Sequence, residues 1–246
     1  MKIYQKSIII LLLTTVIYAT QNFSKSKKLL LKKVYFDNKL TFYCDNPYKI
    51  KQIKGREKTV IIPNKFKYAP RNRITKRGKI NPRAKRVEWE HIVPAHHFGK
   101  ELPCWYKGDK RCVNKRGKLY KGRRCCRKVS QKFRDMEGDM MNLVPAIGEI
   151  NGDRSNFKFE ETDNSLQGQY GACNFRVDFK KRKVYPANYT KGFIGRTYLY
   201  FLDKYNLKET HHHKKLFYKW NKIYPKTEWE KIRERRIQEI RKGRGL

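Results

Sequence analysis

The sequence predicts an α+β fold, a mixed and helix-rich single domain that is held together by disulfides. Short segments in which apolar and polar residues alternate, typical of strands, occur at Lys39–Cys44, Val87–Val93 and Cys173–Asp178. Segments with apolar residues at helical spacing lie between them and dominate the C-terminal part of the chain. A length of 246 residues without internal repeats fits one domain that can bury a core.

Local signals predict the individual elements along the chain. Residues 20–33 are polar and rich in lysine, which fits either a mobile lead-in or a first helix. Residues 63–86, with several prolines, and residues 105–124, dense in Gly, Lys and Arg, are predicted to be loops. A helix is predicted over Ser130–Asn142, with Pro145 as its stop. Further helices are predicted over Arg196–Tyr205, over His212–Ile223 and, from a Thr227–Glu230 capping box, to about Arg241.

The first residues are typical of a secretory signal. Lys2 and Lys6 precede the apolar run Ile8–Ile17, which is too short for a mature membrane anchor, and Ala19 ends an acceptable cleavage site. An uncleaved N-terminal anchor is the alternative. The sequence therefore predicts a signal peptide at residues 1–19, a basic lead-in at residues 20–39 and one main domain at residues 40–246, with no membrane contact after cleavage.

The cysteine content supports export. Six cysteines in an exported chain favour disulfides. They do not form a CxxC pair, which argues against a structural zinc knuckle. Their spacing alone leaves the pairing open.

The charge predicts a polyanionic partner. The chain has 60 Lys and Arg against 22 Asp and Glu, a net charge of +38. This exceeds what solubility requires, and nucleic acid is the commonest polyanion that such a protein binds. A solvated basic surface without a dedicated ligand is the plainer explanation, and an anionic membrane or cell-wall polymer would also attract the chain.

Two segments carry the chemistry. Arg86–Gly99, RVEWEHIVPAHHFG, places the carboxylate of Glu90 beside the imidazole of His91. Asp139–Phe157, DMMNLVPAIGEINGDRSNF, supplies amides and acids among apolar residues: Asn142, Glu149, Asn151 and Asp153. A general base, oxygen ligands for a hard cation and a very positive surface are what phosphodiester hydrolysis needs. Taken singly, each is weak evidence, because a lone histidine is more often structural and an asparagine near a helix end is usually a cap.

Other histidine groups suggest rival metal sites. Zinc bound by His91, His96 and His97 is one, although adjacent histidines point in different directions in a regular element. The run His211–His213 opens a predicted helix and fits a solvated face, with an adventitious metal patch as the alternative. The run Arg233–Arg236 is likewise expected to be the solvated surface of a helix, with a contact to a polyanion as the alternative.

Six successive blocks of sequence resemble the bacterial endonuclease I family. The similarity covers roughly Leu40 to Arg236 in one order, and its two central blocks are long and specific. The resemblance implies a periplasmic or secreted, sugar-non-specific nuclease with a ββα-metal active site, so that residues 40–246 become an endonuclease I-like domain. The blocks are RVEWEHIVPA, RRCC, FRDMEGDMMNLVPAIGEINGDRSNF, QGQYGACNFRVDFK, GRTYLYFLDKYNL and FYKWNKIYPKTEWE.

The resemblance implies a role for each of several residues. The family's metal-bound glutamate falls on Glu90, its general-base histidine on His91 and its metal-bound asparagine on Asn142. Its phosphate-contacting arginine falls on Arg123, with Arg124 one register away. Two protein oxygens completed by water suit a single Mg²⁺, with Ca²⁺ or Mn²⁺ as substitutes. A backbone carbonyl is expected to hold the second ring nitrogen of His91.

The chain also departs from the family pattern. His96-His97 replaces the usual Trp-Gln, and Met141 replaces a histidine. Several of the family's cysteines are absent, while Cys112 and Cys125 are gains in a longer, more basic loop. If cysteines are lost in bonded pairs, the resemblance implies the bridges Cys44–Cys173, Cys104–Cys126 and Cys112–Cys125.

These observations lead to one main hypothesis and one rival. The main hypothesis is an exported, monomeric endonuclease that uses a divalent metal and a histidine base. It would hydrolyse DNA, and RNA as well, with little sequence preference and leave 5′-phosphate ends. The rival is a secreted basic nucleic-acid-binding protein on an inactive nuclease scaffold. Periplasm and extracellular medium follow from the same signal and are not distinguished.

Overall fold

Among the residues that the structure describes, small sheets and short helices come first along the chain, and three longer helices follow. The computed structural model describes residues 22–162, 166 and 168–243, so the predicted signal peptide lies outside the described residues. The helices are α1 (Phe23–Leu29, continued by a π-helical turn over Leu30–Val34), α2 (Ala95–Gly99), α3 (Pro103–Tyr106), α4 (Arg123–Val129), α5 (Gln131–Glu137), α6 (Gly148–Arg154), α7 (Asn188–Tyr205), α8 (His211–Ile223) and α9 (Glu228–Arg241). The strands are β1 (Tyr48–Ile53), β2 (Arg56–Ile61), β3 (Val87–His91), β4 (Leu143–Ile147), β5 (Lys158–Phe159), β6 (Arg176–Asp178) and β7 (Lys183–Tyr185).

The strands form three separate sheets. β1 and β2 make an antiparallel hairpin, closed by Lys54 and Gly55, which both have positive φ as a two-residue turn requires. β3 and β4 form a second antiparallel pair, and the third sheet has the order β5-β7-β6. The predicted strand over Lys39–Cys44 is wrong, because the chain turns there after an isolated bridge from Leu40 to Pro47.

The central unit is a ββα arrangement. β3 pairs with β4 from Val87 opposite Ile147 to His91 opposite Leu143, and α6 begins directly after β4. Pro145 was predicted to stop a helix, but it lies inside β4, opposite Trp89. The two-stranded sheet tolerates it, because each strand has one edge that needs no ladder donor. The predicted helix over Ser130–Asn142 ends at Glu137, and a 3₁₀ turn over Met140–Asn142 leads into the strand.

The lead-in segment packs into the domain. Leu30 and Val34 are fully buried, and they form an apolar cluster with Ile237 of α9 and Leu143 of β4. The hydroxyl of Ser26 donates to the Gly138 carbonyl at 2.6 Å. Of the two structures predicted for this segment, a first helix is therefore observed from Phe23 to Val34, and buried contacts at Ser26, Leu30 and Val34 hold it against the domain.

The C-terminal helices close the main core. Tyr198 of α7 stacks on Phe217 of α8, with ring centroids 4.1 Å apart. A Cβ at Gly195 would meet the backbone oxygen of Phe217 at 2.7 Å, so the glycine permits this close helix contact. The predicted cap of α9 is observed, since the side chain of Thr227 accepts from the Glu230 backbone amide at 3.1 Å.

The structure contains three disulfides. Cys44 is bonded to Cys173, Cys104 to Cys126 and Cys112 to Cys125. These are the pairings that the resemblance implied. The first ties the segment before β1 to the segment before β6, the second ties α3 to α4, and the third clamps the basic loop to α4.

Candidate active site

A cleft of about 1060 Å³ surrounds the end of β3. Its walls come from α1, β2, β3, α4 and α6, and both Glu90 and His91 line it. Basic side chains dominate the lining, which fits an anionic substrate. They are Lys27, Lys28, Arg56, Arg86, Arg123, Arg127 and Arg154.

Glu90 is a buried carboxylate with two fixed partners. Its Oε1 accepts from the Tyr43 hydroxyl at 3.1 Å and lies 3.1 Å from Nη1 of Arg154. Burial raises the pKa of Glu90 to about 7, and the Arg154 charge and the Tyr43 hydrogen bond oppose that rise. Because its pKa is raised, the Glu90 carboxylate is ionised more fully when a further cation lies beside it.

His91 is held in one orientation. Its Nε2 lies 2.9 Å from the backbone oxygen of Glu137, which can only accept, so Nε2 carries the hydrogen and Nδ1 is the basic nitrogen. This is the backbone-carbonyl partner that the sequence led us to expect. Burial, followed by the charge of Arg123, lowers the pKa of His91 to about 3. The ring is therefore neutral at any ordinary pH.

The carboxylate of Glu137 organises two arginines. Arg123 donates through Nε to its Oε1 at 2.5 Å, and Arg127 donates through Nε to its Oε2 at 2.6 Å. Glu137 is almost fully buried, while both arginines are about two-fifths exposed. The guanidinium groups can therefore meet an anion in the cleft while their Nε atoms stay fixed.

The structure distinguishes Arg123 from its neighbour. Arg123 and Arg127 line the cleft, and Arg124 does not. The guanidinium of Arg124 instead lies 4.5 Å from the ring centroid of Tyr120. Arg127 was missed from sequence, although it follows Arg123 by one helical turn and the (i, i+4) spacing places both on one face.

Asn142, predicted from the sequence to bind a metal, does not line the cleft. Its side chain is fully buried, with Oδ1 accepting from the Val93 amide at 2.7 Å and Nδ2 donating to the Val93 carbonyl at 2.9 Å. Both ends of the amide thus close a backbone clamp. The clamp fixes the chain where it leaves β3.

A second asparagine of the same sequence block, Asn151, does line the cleft. It projects from α6 into the cleft that Glu90 also lines. Its Nδ2 donates to Glu88 Oε2 at 2.8 Å, which leaves Oδ1 as the end of the amide that can bind a cation. Glu88 is itself held by Arg83 and Arg86. Both asparagines stand in the same block of sequence, and the family resemblance implied the ligand role for Asn142.

The alternative zinc site of His91, His96 and His97 does not form in the structure. His97 Nε2 lies 3.0 Å from the Asn156 carbonyl, whereas His91 Nε2 lies against Glu137. The ring of His96 packs edge-on to Trp105. Among the described residues these three imidazoles do not form a cluster that could hold a metal ion.

Phe23 is a cleft residue that the sequence did not reveal. Its ring lies 4.8 Å from the ring of His91, between centroids. The guanidinium groups of Arg123 and Arg127 lie 5.5 and 5.6 Å from the same ring, and Nζ of Lys27 lies 4.5 Å from it. Phe23 therefore shields the base on one side and spaces the cations that flank it.

The fold and the cleft together define a class of protein. The cleft is basic and combines a neutral, oriented imidazole with a buried carboxylate and two arginines. These groups are typical of enzymes that hydrolyse phosphodiesters. A family model described as endonuclease I matches residues 13–245 of the chain. The chain belongs to the endonuclease I family and is a nuclease.

Several curated relatives agree with this assignment. The chain is similar to Endonuclease-1 of Buchnera aphidicola subsp. Acyrthosiphon pisum, with 40% identity over 220 residues that cover 89% of this chain and 77% of that protein. It is 40% identical over 211 residues to an extracellular deoxyribonuclease of Aeromonas hydrophila, covering 85% and 80% of the two chains. A periplasmic deoxyribonuclease of Aeromonas hydrophila is 39% identical over 211 residues, covering 85% and 78%.

The contact between Phe23 and His91 makes a prediction. We expect Phe23→Ala to lower the single-turnover rate of DNA cleavage roughly threefold to tenfold, because an aromatic contact of this kind contributes about 0.5–1.5 kcal/mol. The control is Phe66→Ala, since Phe66 is 78% exposed and does not line the cleft. Equal rates for the two variants would show that Phe23 does not support the base.

Proposed function

We propose that this chain is an exported, metal-dependent endonuclease that cleaves DNA, and RNA as well, with little sequence preference. The observation that carries the proposal is the state of His91. Its Nε2 is committed to the Glu137 carbonyl, its pKa is far below the ordinary value, and it lines a cleft edged with arginines. A neutral imidazole with one available nitrogen is a general base.

The donor set of the cleft fits a hard divalent cation. Glu90 and Asn151 offer a carboxylate and an amide oxygen, and they would hold Mg²⁺, with Ca²⁺ or Mn²⁺ as substitutes. When bound, such an ion offsets negative charge on the phosphate and on the leaving 3′ oxygen. Arg154 lies beside Oε1 of Glu90 and keeps the carboxylate in place.

The chain's own side chains supply the remaining steps. His91 would take a proton from the attacking water through Nδ1, while Nε2 keeps its hydrogen bond to the Glu137 carbonyl. Arg123 and Arg127 would donate charge-assisted hydrogen bonds to the phosphate, with their Nε atoms held by Glu137. Attack by water on phosphorus with a 3′ oxygen leaving produces 5′-phosphate ends.

The substrate is read through its backbone. Lysine and arginine side chains line the cleft, and such cations bind phosphates whatever the base sequence, so phosphate contacts would dominate binding. With a net charge of +38, the chain should bind any polynucleotide strongly and in a salt-dependent way. The deoxyribonuclease names of the relatives support DNA as the main substrate.

Export and a monomeric state complete the proposal. The N-terminal signal pattern, three disulfides and relatives named extracellular or periplasmic support a compartment outside the cytoplasm. No helix of the described residues is long and apolar enough to cross a bilayer. The rival, a basic binding protein on an inactive scaffold, is disfavoured because Glu90 and His91 both line the cleft.

The direct test of activity is nicking of a supercoiled plasmid. We expect the wild type to nick it with Mg²⁺ and to stop in EDTA, and His91→Ala to be inactive with Mg²⁺ while binding DNA almost as tightly. Binding survives because it depends on many lysines and arginines. His96→Ala is the matched control and should stay active. Cleavage by His91→Ala, or undiminished cleavage in EDTA, would contradict the proposed mechanism.

The two asparagines should behave differently. Asn151→Ala is expected to weaken Mg²⁺ binding and activity with little change in melting temperature, because the side chain borders the cleft. Asn142→Ala is expected to lower the free energy of unfolding by about 2–4 kcal/mol, because it leaves two buried backbone groups unpaired. Thermal melts and Mg²⁺ titrations of both variants measure this. The reverse pattern would restore Asn142 as the ligand.

The pKa of Glu90 predicts how acid affects the enzyme. Because that pKa is raised to about 7, protons compete with the cation, and apparent Mg²⁺ affinity should fall by about tenfold per pH unit well below 7. His91, with a pKa of about 3, stays neutral throughout. Activity lost at pH 5.5 should therefore return with more Mg²⁺, in single-turnover assays at constant ionic strength. Loss that no Mg²⁺ concentration reverses would contradict this account.

A further inference from the structure

A second group of ligand-type side chains lies outside the cleft. Glu160 follows β5 directly, and His212 and His213 belong to the first turn of α8. One ligand atom from each residue lies within 4.8 Å of the other two. Nε2 of His212 is 3.1 Å from Glu160 Oε2, and Nε2 of His213 is 3.6 Å from Glu160 Oε1. None of the three lines the cleft.

His213 supplies the observation that points to a ligand. The residue is only 8% exposed, and its Nε2 is buried without a hydrogen-bond partner among the described residues. A buried polar atom without a partner is costly and calls for an explanation. The atom is directed at a carboxylate oxygen that is too far away for a hydrogen bond.

The other ring nitrogen of His213 is already supported. Nδ1 lies 2.8 Å from the hydroxyl oxygen of Thr210, which can accept its hydrogen. This tautomer leaves a lone pair on Nε2, and an outer hydrogen bond to the distal nitrogen is how metal-binding histidines are commonly oriented.

The surrounding charges permit a cation. Glu160 Oε1 also accepts from Lys183 at 3.0 Å, and that lysine is 42% exposed, so its ammonium can move into solvent. Glu209, on the other side of His213, is neutralised by Lys158. A metal ion beside Glu160 would thus take the place of the Lys183 ammonium, which can move away. It would not have to share the site with a positive charge that is fixed there.

We propose that Glu160, His212 and His213 form a zinc site that is separate from the catalytic cleft. Two imidazoles and one carboxylate are borderline ligands that suit Zn²⁺ better than Mg²⁺. Zn–N distances of about 2.0–2.1 Å place neighbouring tetrahedral ligands roughly 3.3 Å apart, close to the two separations measured here. Water completes the coordination.

The site ties the end of β5 to the start of α8. Side-chain contacts already join these segments, among them Lys158 with Glu209 and His212 with Glu160. Because Zn²⁺ bound there stabilises only the folded state, it should raise the melting temperature. The consequence is structural, and the nuclease reaction does not depend on it.

The test is Zn²⁺ binding by the mature, disulfide-bonded chain without a histidine tag. We expect isothermal titration calorimetry to give one Zn²⁺ per chain in a background of millimolar Mg²⁺, with a rise in melting temperature. His213→Ala, His212→Ala and Glu160→Gln should each weaken binding by more than about tenfold, because even outer-shell losses cost that much. Plasmid nicking with Mg²⁺ alone should be unchanged in all three.

His211→Ala is the matched control. His211 neighbours the site on the same helix but is exposed and is not one of the three clustered ligands. It should bind Zn²⁺ within about twofold of the wild type. An equal loss in His211→Ala would indicate an adventitious surface patch, and no binding by the wild type would also overturn the proposal. If His213→Ala fails to fold, His212→Ala and Glu160→Gln still decide, because their positions are less buried than His213.

Discussion

The site depends on how the chain leaves β3. Neighbouring side chains on a strand point to opposite faces, yet Glu90 and His91 must serve one cleft. The cleft achieves this by wrapping around the strand's end, where the fully buried Arg154 donates to the His91 carbonyl at 2.9 Å and to the Ile92 carbonyl at 2.6 Å. The same guanidinium lies 3.1 Å from Glu90. One side chain therefore holds the turn and balances the buried carboxylate, and removing it would leave an uncompensated charge.

Glu137 couples His91, the proposed base, to two arginines that line the cleft. Its carbonyl fixes the tautomer of His91, and its carboxylate fixes Arg123 and Arg127. Burial is the main cause of the low pKa of His91, and the charges of Arg123 and Arg127 lower it further, so the cations proposed to bind phosphate also help to keep the imidazole neutral. Phe23, brought in by α1, fills the space between the ring and the guanidinium groups. The basic lead-in thus contributes to the site as well as to the fold.

Sequence predicts some of this and misses the rest for physical reasons. Helical spacing and a cap predicted α8 and α9, because amphipathic periodicity is a local property. The hairpin of β1 and β2 was missed because its side chains are largely exposed on both faces and show no alternation. Asn142 and Asn151 stand in one sequence block, so the sequence alone does not tell their roles apart. The difference appears only in the structure, where the side chain of Asn142 is bonded to the backbone of Val93. Equally, the low pKa of His91 arises from burial and from Arg123, which is distant in sequence.

The central claim is that His91 is a neutral base with its hydrogen on Nε2. NMR of the chain with ¹⁵N-labelled histidine measures this directly, since the ring nitrogen shifts report both tautomer and charge. His91→Gln identifies the resonance by its loss. The account predicts an Nε2–H tautomer for His91 that does not titrate between pH 5 and pH 8, because the pKa is about 3. A His91 signal that titrates near the ordinary value of about 6.5, or that reports hydrogen on Nδ1, would contradict it.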